Sequence, residues 1–575
     1  MYVNIYLITL ITLMFKVRAG DFGKRVTPIA ALKIQRDLLD ENLISEREVL
    51  TRISAKQLRW FQSKTAVTST ENAIPVARGK VVTFGSVTGQ LAFTPHECRT
   101  FNTPILCLKE FDHRIHSDAF KNAAGIILLD EQITGKGAMA CRSLGKPSLC
   151  SVQDVNIVTD THGNTCLQVG TDNIRLVSGA SVSMDANNGI IFKGVVECDV
   201  FSPNDMSLYK WIMGLAERYR SMHIAAYVKD QEGLEALAVE TPDSIVLDMN
   251  FIMKQIDDRT NLMQLYLLSN NESDKQSTMI LIIDELKTSL EAISPKLAGY
   301  HVAFKLTDAP FEYYNFDAIK GNTQHIAETL SMTVVEVQTK LKELSNRNPI
   351  LGLRGSRVLA VLPDLLDMQI LALKEYSKLH TSGGLQGLQL VLPFFSTTQE
   401  AKQLTDLIKA HIDVSVSVGA IIGAPRVCFK DELDQCGIDF CIYDVQSLTE
   451  LSFGIDPVDF SDKYMDLYLY DHKIPFNPFQ SLDKQGVGNL INLSMSKIKG
   501  QPSIFSNPVK NIKSNQISFM ALPGFDESSL EYCFRHGIQH YVSDPSSVSL
   551  CKLVSAGLAI RADDDSLNDL LYPIF

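Results

Sequence analysis

The chain has 575 residues, of which 45% are hydrophobic and 21% are charged, and its formal net charge is −12. This composition is typical of soluble globular proteins and excludes an intrinsically disordered chain, collagen and a disulfide-rich miniprotein. An acidic chain lacks the basic footprint of a general nucleic-acid-binding protein, so no nucleic-acid partner is expected. The eleven cysteines contain no CxxC pair, which favours reduced thiols in the cytoplasm over a structural zinc site.

The first predicted element is the apolar run VNIYLITLITLMF at residues 3–15. Two interpretations stay open. Ala19 before Gly20 fits a signal peptide that is cleaved after residue 19, which would make the protein secreted, but no Lys or Arg precedes the run. The β-branched residues of the run also fit a buried strand. A membrane-spanning helix needs about 20 apolar residues, so no membrane segment is predicted here or elsewhere.

A helical region and a turn-rich region follow. Residues 27–63 show helical periodicity, and Ser45 with Glu46 and Glu48 predicts a helix N-terminus. Residues 73–198 contain short β-rich runs separated by Gly, Asn and Asp. This pattern predicts a compact α/β domain with many turns, and the Ser-Pro-Asn-Asp sequence after it predicts a hinge.

The remainder of the chain alternates eight strand-like runs with helical stretches. Strands separated by helices imply parallel strands joined by crossovers. Eight such units predict a (β/α)8 barrel with insertions. The runs are HIAAYV, SIVLDM, GYHVAFKL, LQLVLPFF, VSVGAII, DFCIYDV, SFMALP and QHYVSD, with amphipathic stretches between them such as HIAETLSMTVVEVQTKLKEL and AKQLTDLIKAHI.

Three longer segments carry recognisable motifs. Residues 348–373 read NPILGLRGSRVLAVLPDLLDMQILAL, residues 477–491 read NPFQSLDKQGVGNLI, and residues 526–538 read DESSLEYCFRHGI. They resemble, in this order, the motifs NPMLGhRG-x-R-L, DPFETLDQEGVGQL and DPSSVEFC-x-x-x-G of the phosphoenolpyruvate-utilising enzyme family, and within it the pyruvate, phosphate dikinases. Because residues 23–53 also resemble the linker into the phosphohistidine domain of that family, the resemblance covers essentially the whole chain.

The resemblance implies three parts. Residues 1–63 resemble the end of an ATP-grasp domain plus a helical linker, residues 64–201 a swivelling phosphohistidine-type domain, and residues 202–575 a phosphoenolpyruvate-binding TIM barrel. The segment LMFKVRAGDFGKR is similar to the closing strand of the ATP-grasp domain, with Lys16 in place of a Gln and Arg18 retained. With only this remnant, the chain is not expected to phosphorylate itself from ATP.

The phosphohistidine motif is altered. GIILLDEQITGKGAMACRSLGKPSL resembles GGMTSHAAVVAR-x-x-GKP, whose His accepts and donates the phosphoryl group. Thr134, Arg142, Gly145 and Lys146 remain, but Lys136 occupies the His position. A lysine ammonium, with a pKa near 10.4, has no lone pair for nucleophilic attack at neutral pH. The resemblance therefore implies that phosphoryl shuttling is lost.

The positions that carry chemistry in the barrel are altered as well. By the resemblance, Gly423 and Ser447 stand where the family has its magnesium-binding Glu and Asp, with Asp444 close to the second position. Met520 stands where the family has the Cys that protonates the enolate of pyruvate, and Met has no proton to donate. No intact catalytic residue and no cofactor are expected, and magnesium would bind only if residual activity remained.

Three arginines clamp phosphate and carboxylate in the family. Arg354 keeps one of these positions, Lys305 replaces the second, and Asp248 replaces the third. Arg354 and Lys305 are therefore the candidate substrate-binding residues, whereas a carboxylate at position 248 would repel phosphate. For Arg354 a structural role is favoured over phosphate binding, because a bidentate clamp needs its companions.

These positions predict a catalytically inactive pseudoenzyme related to the pyruvate, phosphate dikinases, which acts as a scaffold or partner of an active phosphotransferase. Family members dimerise through the barrel, so the resemblance implies a homo-oligomer or a heterodimer with an active relative. The alternative is a residual phosphotransferase or a metabolite sensor that binds phosphoenolpyruvate or pyruvate weakly.

Overall fold

The computed structural model describes most of the chain. The apolar run at residues 3–15, together with Lys16 and Arg18, lies outside the described residues, and so do Thr134 and Gly145. The described residues are 28–55, 58, 65–69, 73–130, 135–144, 146–159, 165–170, 174–200, 203–314, 323–324, 326–346, 348, 351–380, 388–412, 416–429, 436–457, 460, 464–497, 517–520 and 526–563.

The chain forms two compact units. The first unit comprises Met1–Ser221, Asp456–Pro475 and Ser549–Phe575, and the second comprises Met222–Ile455 and Phe476–Val548. The three-part division at residues 63 and 201 stays a prediction.

The first unit begins with two helices, α1 (Pro28–Asp40) and α2 (Glu46–Arg52). The Ser45 hydroxyl accepts a hydrogen bond from the Glu48 backbone N–H at 3.2 Å, and the Glu48 carboxylate accepts one from the Ser45 backbone N–H at 2.9 Å. This reciprocal capping satisfies two backbone donors that the first turn of a helix leaves without partners. The predicted helix N-terminus at Ser45 is confirmed.

An α/β fold follows, as predicted for residues 73–198. The elements are, in chain order, β1 (Thr65–Ser69), β2 (Ala73–Arg78), β3 (Lys80–Thr83), β4 (Ser86–Ala92), α3 (Pro95–Thr100), β5 (Pro104–Leu108), α4 (His113–Asn122), β6 (Gly125–Leu128), α5 (Lys136–Leu144), β7 (Ser148–Cys150), β8 (Val155–Thr159), β9 (Thr165–Val169), β10 (Ile174–Val177), β11 (Ser181–Asp185), β12 (Ile190–Gly194), β13 (Glu197–Val200) and α6 (Pro203–Tyr219). One sheet has eight strands in the order β2-β12-β11-β4-β5-β6-β7-β3, and two smaller sheets have the orders β10-β9-β8 and β1-β13.

The central strands of this sheet are buried on both faces. In β5, Ile105 and Cys107 point into one apolar cluster, while Leu106 and Leu108 point into the other. Successive side chains of a strand alternate between the faces of a sheet, so a continuous apolar run supplies two cores. At the predicted hinge, helix α6 begins at Pro203, which suits a first helical position because proline lacks a backbone N–H.

The second unit contains a closed barrel of eight parallel strands, in which each strand pairs with the next and the last with the first. All eight strand-like runs predicted from the sequence form these strands. They are β14 (His223–Val228), β15 (Ser244–Asp248), β16 (His301–Lys305), β17 (Leu388–Leu392), β18 (Val416–Ile422), β19 (Phe440–Asp444), β20 (Ile517–Met520) and β21 (His540–Ser543).

Helices connect the strands. The predicted stretch AKQLTDLIKAHI lies in one helix, but HIAETLSMTVVEVQTKLKEL is interrupted at Ser331, whose φ of 53° is incompatible with a continuous helix. The helices are α7 (Gln231–Ala236), α8 (Met249–Thr260), α9 (Leu262–Leu268), α10 (Glu272–Leu297), α11 (Val334–Leu344), α12 (Ser356–Val361), α13 (Pro363–His380), α14 (Thr398–His411), α15 (Pro425–Cys428), α16 (Val445–Phe453), α17 (Met465–Tyr470), α18 (Asn489–Lys497), α19 (Glu527–Arg535) and α20 (Val548–Asp563), of which α17 and most of α20 belong to the first unit.

The interior of the barrel is filled by side chains of unequal size. A side chain at Gly419 would place its Cβ 1.8 Å from Cε2 of Phe440, so the glycine makes room for the ring. The ring packs with small and branched residues from other strands, which gives the dense interior that such barrels need. The cluster also contains Ala225, Val246, Ala303, Val391, Ile421, Ile442 and Val542.

Two histidines lie at the amino ends of neighbouring strands inside the barrel. His540 is buried, and its ring centroid lies 5.1 Å from that of His223. Burial and the neighbouring His223 lower the pKa of His540 to about 3, while Asp243 acts in the opposite direction. In the unfolded chain the imidazole titrates near pH 6.5, so below this pH the unfolded state binds more protons than the folded state.

His540 is therefore expected to make the barrel sensitive to acid. Its contribution is fully present above pH 6.5 and falls by about 1.4 kcal/mol per pH unit as the pH drops towards 3. Between pH 6.5 and pH 5, the unfolding free energy of His540→Gln should fall by about 2 kcal/mol less than that of the wild-type chain. Urea unfolding at several pH values measures these slopes. The exposed His411→Gln serves as the control and should keep the wild-type slope, and equal slopes for both variants would refute the assignment.

Among the described residues, no helix combines the length and the apolar character that are needed to cross a membrane.

Candidate ligand-binding site at the barrel mouth

The carboxyl ends of the barrel strands surround a cavity of about 280 Å³, here called the mouth cavity. This end is where barrels of this kind carry their active sites, and the volume suits a small molecule. Its lining residues are Tyr227, Lys229, Lys305, Asp308, Arg354, Phe394, Ile421, Asp444, Gln446, Ser447, Glu450, Met520, Val542, Ser543 and Asp544.

Lys305, at the end of β16, is buried between two carboxylates. Its Nζ lies 2.6 Å from Oδ1 of Asp308 and 3.4 Å from both carboxylate oxygens of Asp248, and Asp248 also accepts a hydrogen bond from the Tyr227 hydroxyl. Burial by itself would lower the pKa of Lys305, but the two carboxylates raise it above its usual value. Lys305 is therefore a fixed cation whose charge is already compensated within the protein.

Asn250, on the first turn of α8, holds the loop that follows β16. Its side-chain oxygen accepts hydrogen bonds from the backbone N–H groups of Asp308 and Ala309, at 2.9 and 3.0 Å, and its amide donates to Asp308 at 2.7 Å. The Asn250 backbone N–H donates to Asp248 at 2.9 Å. These bonds fix both carboxylates that face Lys305, so the ion pair is a preorganised part of the barrel end.

Arg354 is positioned by a tight turn. Gly355 has φ of 68°, and a Cβ there would lie 2.2 Å from the carbonyl oxygen of Phe394. Only glycine fits this close approach at a left-handed φ. The Ser356 backbone N–H donates to the same carbonyl at 2.7 Å, and the Arg354 guanidinium carbon lies 5.0 Å from the centre of the Phe394 ring. The turn thus directs the guanidinium over the ring into the cavity.

Ser447 connects Arg354 to Asp444. Its hydroxyl accepts a hydrogen bond from Nη2 of Arg354 at 3.3 Å and donates to Oδ2 of Asp444 at 2.6 Å. Asp444 ends β19 and caps α16, because its Oδ1 accepts from the Ser447 backbone N–H at 3.2 Å. The structure therefore brings Asp444 into the mouth cavity beside Ser447.

Gly423, just after β18, lies against two side chains. A Cβ at this position would be 2.8 Å from Cδ2 of Phe394 and 3.0 Å from Cβ of Ser447. Contacts this short require the neighbours to move. The space into which a longer side chain would extend from position 423 is therefore partly filled by the Phe394 ring.

The remaining walls are apolar or paired. Met520 ends β20 and lies beside Val542 and Ile421 on the cavity wall. Lys229 and Asp544 form an ion pair at 3.6 Å on the same lining. The structure thus brings together Arg354, Lys305, Ser447 and Met520 on the lining of the mouth cavity.

The family described as PEP-utilising enzyme, PEP-binding domain matches residues 273–557. Residues 273–557, about half of the chain, therefore belong to the PEP-utilising enzyme family. Similar curated relatives are pyruvate, phosphate dikinase of Clostridium symbiosum, 22% identical with 94% of this chain and 61% of the relative covered, and that of Rhizobium meliloti, 23% identical with 94% and 59% covered. The chloroplastic pyruvate, phosphate dikinase 1 of Arabidopsis thaliana is 23% identical, with 94% of this chain and 56% of the relative covered. The chain thus spans about 60% of the length of these relatives.

The residues present do not fit the magnesium ion that the PEP-utilising enzyme family implies. Gly423 supplies no ligand, which leaves Asp444 as the one carboxylate beside Ser447, the second position that the resemblance assigns to magnesium. Within the described ranges, no group of three or more His, Cys, Asp or Glu residues could hold a metal ion. Magnesium favours carboxylate oxygens in an octahedral arrangement, which this mouth cavity does not offer.

The segment that resembles the phosphohistidine motif lies in the first unit. Lys136 is exposed and is the first residue of α5. Lys146, from the retained Gly-Lys-Pro sequence, donates to the Lys121 carbonyl and, at 2.6 Å, to the Ala123 carbonyl at the end of α4. Cations stabilise the carboxyl end of a helix, so the retention of Lys146 has a structural explanation.

Sequence reasoning missed four charged residues of the mouth cavity: Glu450, which lies on α16, and the three residues Lys229, Asp308 and Asp544. Lys229 and Asp544 directly follow strands β14 and β21, and Asp308 lies three residues after β16. A charged residue just beyond a predicted barrel strand is therefore the signal that could have identified them.

Proposed function

We propose that this chain is a catalytically inactive relative of the pyruvate, phosphate dikinases that acts as a scaffold or partner of an active phosphotransferase. The observation that carries the proposal is the packing at Gly423. Phe394 and Ser447 lie so close to this position that a glutamate side chain there would have to displace them. Family reactions at this end of the barrel need a magnesium-held substrate, which the present residues do not support.

The phosphohistidine position supports the same proposal independently. Phosphoryl transfer through this domain needs a nucleophilic nitrogen, and position 136 offers an exposed lysine. A solvated ammonium is protonated at neutral pH and has no lone pair to attack a phosphoryl group. The glycine at position 423 and the lysine at position 136 would therefore remove two separate steps of the family reaction.

The partner role extends this proposal. Relatives of this family pair through the barrel, so the chain would form homo-oligomers or heterodimers with an active dikinase in the cytoplasm. Light scattering of the purified chain, alone and mixed with an active dikinase, measures the masses of the assemblies. A monomer that does not change the mass or the rate of the dikinase would contradict the partner role.

Phosphate incorporation tests the loss of catalysis. The folded chain is incubated with labelled phosphoenolpyruvate and magnesium beside an active dikinase, and we expect label only on the dikinase. Label on this chain that disappears in Lys136→Ala would overturn the proposal and make the lysine a nucleophile. Label that persists in this variant would also overturn it and would place the acceptor elsewhere.

A second candidate is a barrel that still binds phosphoenolpyruvate or pyruvate as a residual phosphotransferase or sensor. Arg354 favours it, because its guanidinium faces the mouth cavity and forms no ion pair with the described residues. This candidate requires thermal stabilisation by phosphoenolpyruvate that is lost in Arg354→Ala. Lys305 contributes little to it, since Asp248 and Asp308 already neutralise that charge.

A further inference from the structure

The charged groups of the mouth cavity fall into two classes. Lys305 is bound by Asp248 and Asp308, and Lys229 is bound by Asp544 at 3.6 Å. These cations have partners within the protein and offer little attraction to an incoming anion, because their fields are compensated at close range.

Arg354 and Asp444 form the second class. Within the described part of the chain, neither forms an ion pair, and each hydrogen-bonds only to Ser447. The bonds of 3.3 Å and 2.6 Å through the Ser447 hydroxyl place Nη2 of Arg354 within about 6 Å of Oδ2 of Asp444. The cavity therefore presents a cation and an anion side by side, neither of which forms a direct ion pair with the described residues.

A ligand complementary to this pair carries a carboxylate for Arg354 and an ammonium for Asp444. An α-amino acid has both groups on one carbon, so they can face two protein charges that are this close. Guanidinium and carboxylate groups are also the usual protein partners of these two ligand groups. Each carboxylate oxygen of Asp444 accepts one bond in the protein and retains a second lone pair for a ligand.

The other walls of the cavity suit the remainder of such a molecule. Ile421, Met520 and Val542 form an apolar wall, and the volume of about 280 Å³ accommodates a small side chain. A phosphorylated trianion fits poorly, because among the described lining residues Arg354 is the one cation without a direct ion pair, and Asp444 and Glu450 add negative charge to the lining.

We propose that the mouth cavity binds a small α-amino acid, with its carboxylate on Arg354 and its ammonium on Asp444. This ligand class goes beyond the partner role and does not depend on it, because an amino-acid-binding barrel can sit in a scaffold or act alone. The loss of the magnesium ligand at Gly423 is compatible with it, since neither contact needs a metal ion.

Isothermal titration of the full chain with matched pairs of probes tests the proposal. The pairs are L-alanine with pyruvate and L-leucine with the corresponding oxo acid, and phosphoenolpyruvate with magnesium is a fifth probe. In at least one pair, the amino acid is expected to bind at least about tenfold more tightly than its oxo acid, because only the amino acid reaches Asp444 with a charged donor. Phosphoenolpyruvate is expected to bind more weakly than that amino acid.

Two variants separate the two contacts. Asp444→Asn keeps the helix cap, since Asn caps as well as Asp does, and should reduce the affinity for the amino acid to that for its oxo acid. Arg354→Gln should weaken both members of the pair. The control Glu375→Gln, at an exposed position of α13, should change neither affinity.

Three outcomes would overturn the proposal. The first is an oxo acid or phosphoenolpyruvate that binds as tightly as the amino acids. The second is no binding of either amino acid to a chain shown to be folded by circular dichroism, and the third is unchanged selectivity in Asp444→Asn. If Arg354→Gln does not fold, the selectivity of Asp444→Asn for the amino acid over its oxo acid tests the proposal by itself. Phosphate incorporation is measured separately, so failure of this proposal is distinguishable from failure of the proposed function.

Discussion

The variant Lys305→Met is expected to lose about 3–5 kcal/mol of unfolding free energy, because it leaves the carboxylates of Asp248 and Asp308 without their cation. Lys305 and Asp248 are each less than a tenth exposed, so water cannot replace the missing ammonium. Methionine has a similar shape, which isolates the electrostatic effect from a cavity effect. Urea unfolding of the full chain, with the transition of the barrel assigned by its own probe, measures the loss.

Two comparisons make this test specific. The triple variant Lys305→Met, Asp248→Asn, Asp308→Asn should recover most of the loss, since no buried charge then lacks a partner. Lys378→Met, in the exposed pair with Glu375, should cost at most about 1 kcal/mol. A loss in Lys305→Met no larger than that in Lys378→Met would show that the buried ion pair does not stabilise the barrel end. The loss should also shrink as the pH falls, because the uncompensated carboxylates then become protonated.

The variant Gly423→Glu restores the residue type that the resemblance assigns to the magnesium site. It is expected to cost about 3 kcal/mol without producing a magnesium site, since its first side-chain atom meets Phe394 and Ser447. Urea unfolding measures the cost, and calorimetric titration with magnesium chloride measures the binding of the ion.

Gly214→Glu is the matched control for this variant. Gly214 lies on α6, and a Cβ there has no neighbour within 4 Å. Glutamate is the better helix former, so this substitution should be neutral or stabilising. In a Phe394→Ala background, the additional cost of Gly423→Glu should fall because the ring no longer fills the space. Magnesium binding by the single variant Gly423→Glu would refute the argument that Phe394 and Ser447 leave no room for a ligand at this position.

Local patterns predicted the elements of the fold. The eight strand-like runs all form barrel strands, and Ser45 with Glu48 forms the predicted cap. These predictions succeed because side-chain alternation and capping depend on residues that are close in sequence. The interruption at Ser331 was not foreseen, because the apolar pattern continues through a residue whose backbone leaves the helix.

The composition of the mouth cavity was predicted only in part. Arg354 and Lys305, the two candidate substrate-binding residues, both lie on its lining, and their role in binding stays a prediction. Asp248 was expected to repel a phosphate, but the structure shows that it binds Lys305, which lies on the neighbouring strand. Nothing in either local sequence states this pairing, because it arises from strand order and register.

By itself, the sequence determined the resemblance to the family, the class of the fold and the strands of the barrel, and it predicted the loss of the residue types on which the family's chemistry depends. Only the tertiary structure decided which charges compensate one another, that Phe394 fills the space beside Gly423, and that Ser447 joins Arg354 to Asp444. The physical reason is that periodicity and motifs are properties of residues that are close in sequence. The compensation of charges and the packing of side chains instead join residues that are far apart in sequence, such as Arg354 and Ser447. Closure of the barrel brings such residues to one end and thereby sets the charge of the cavity.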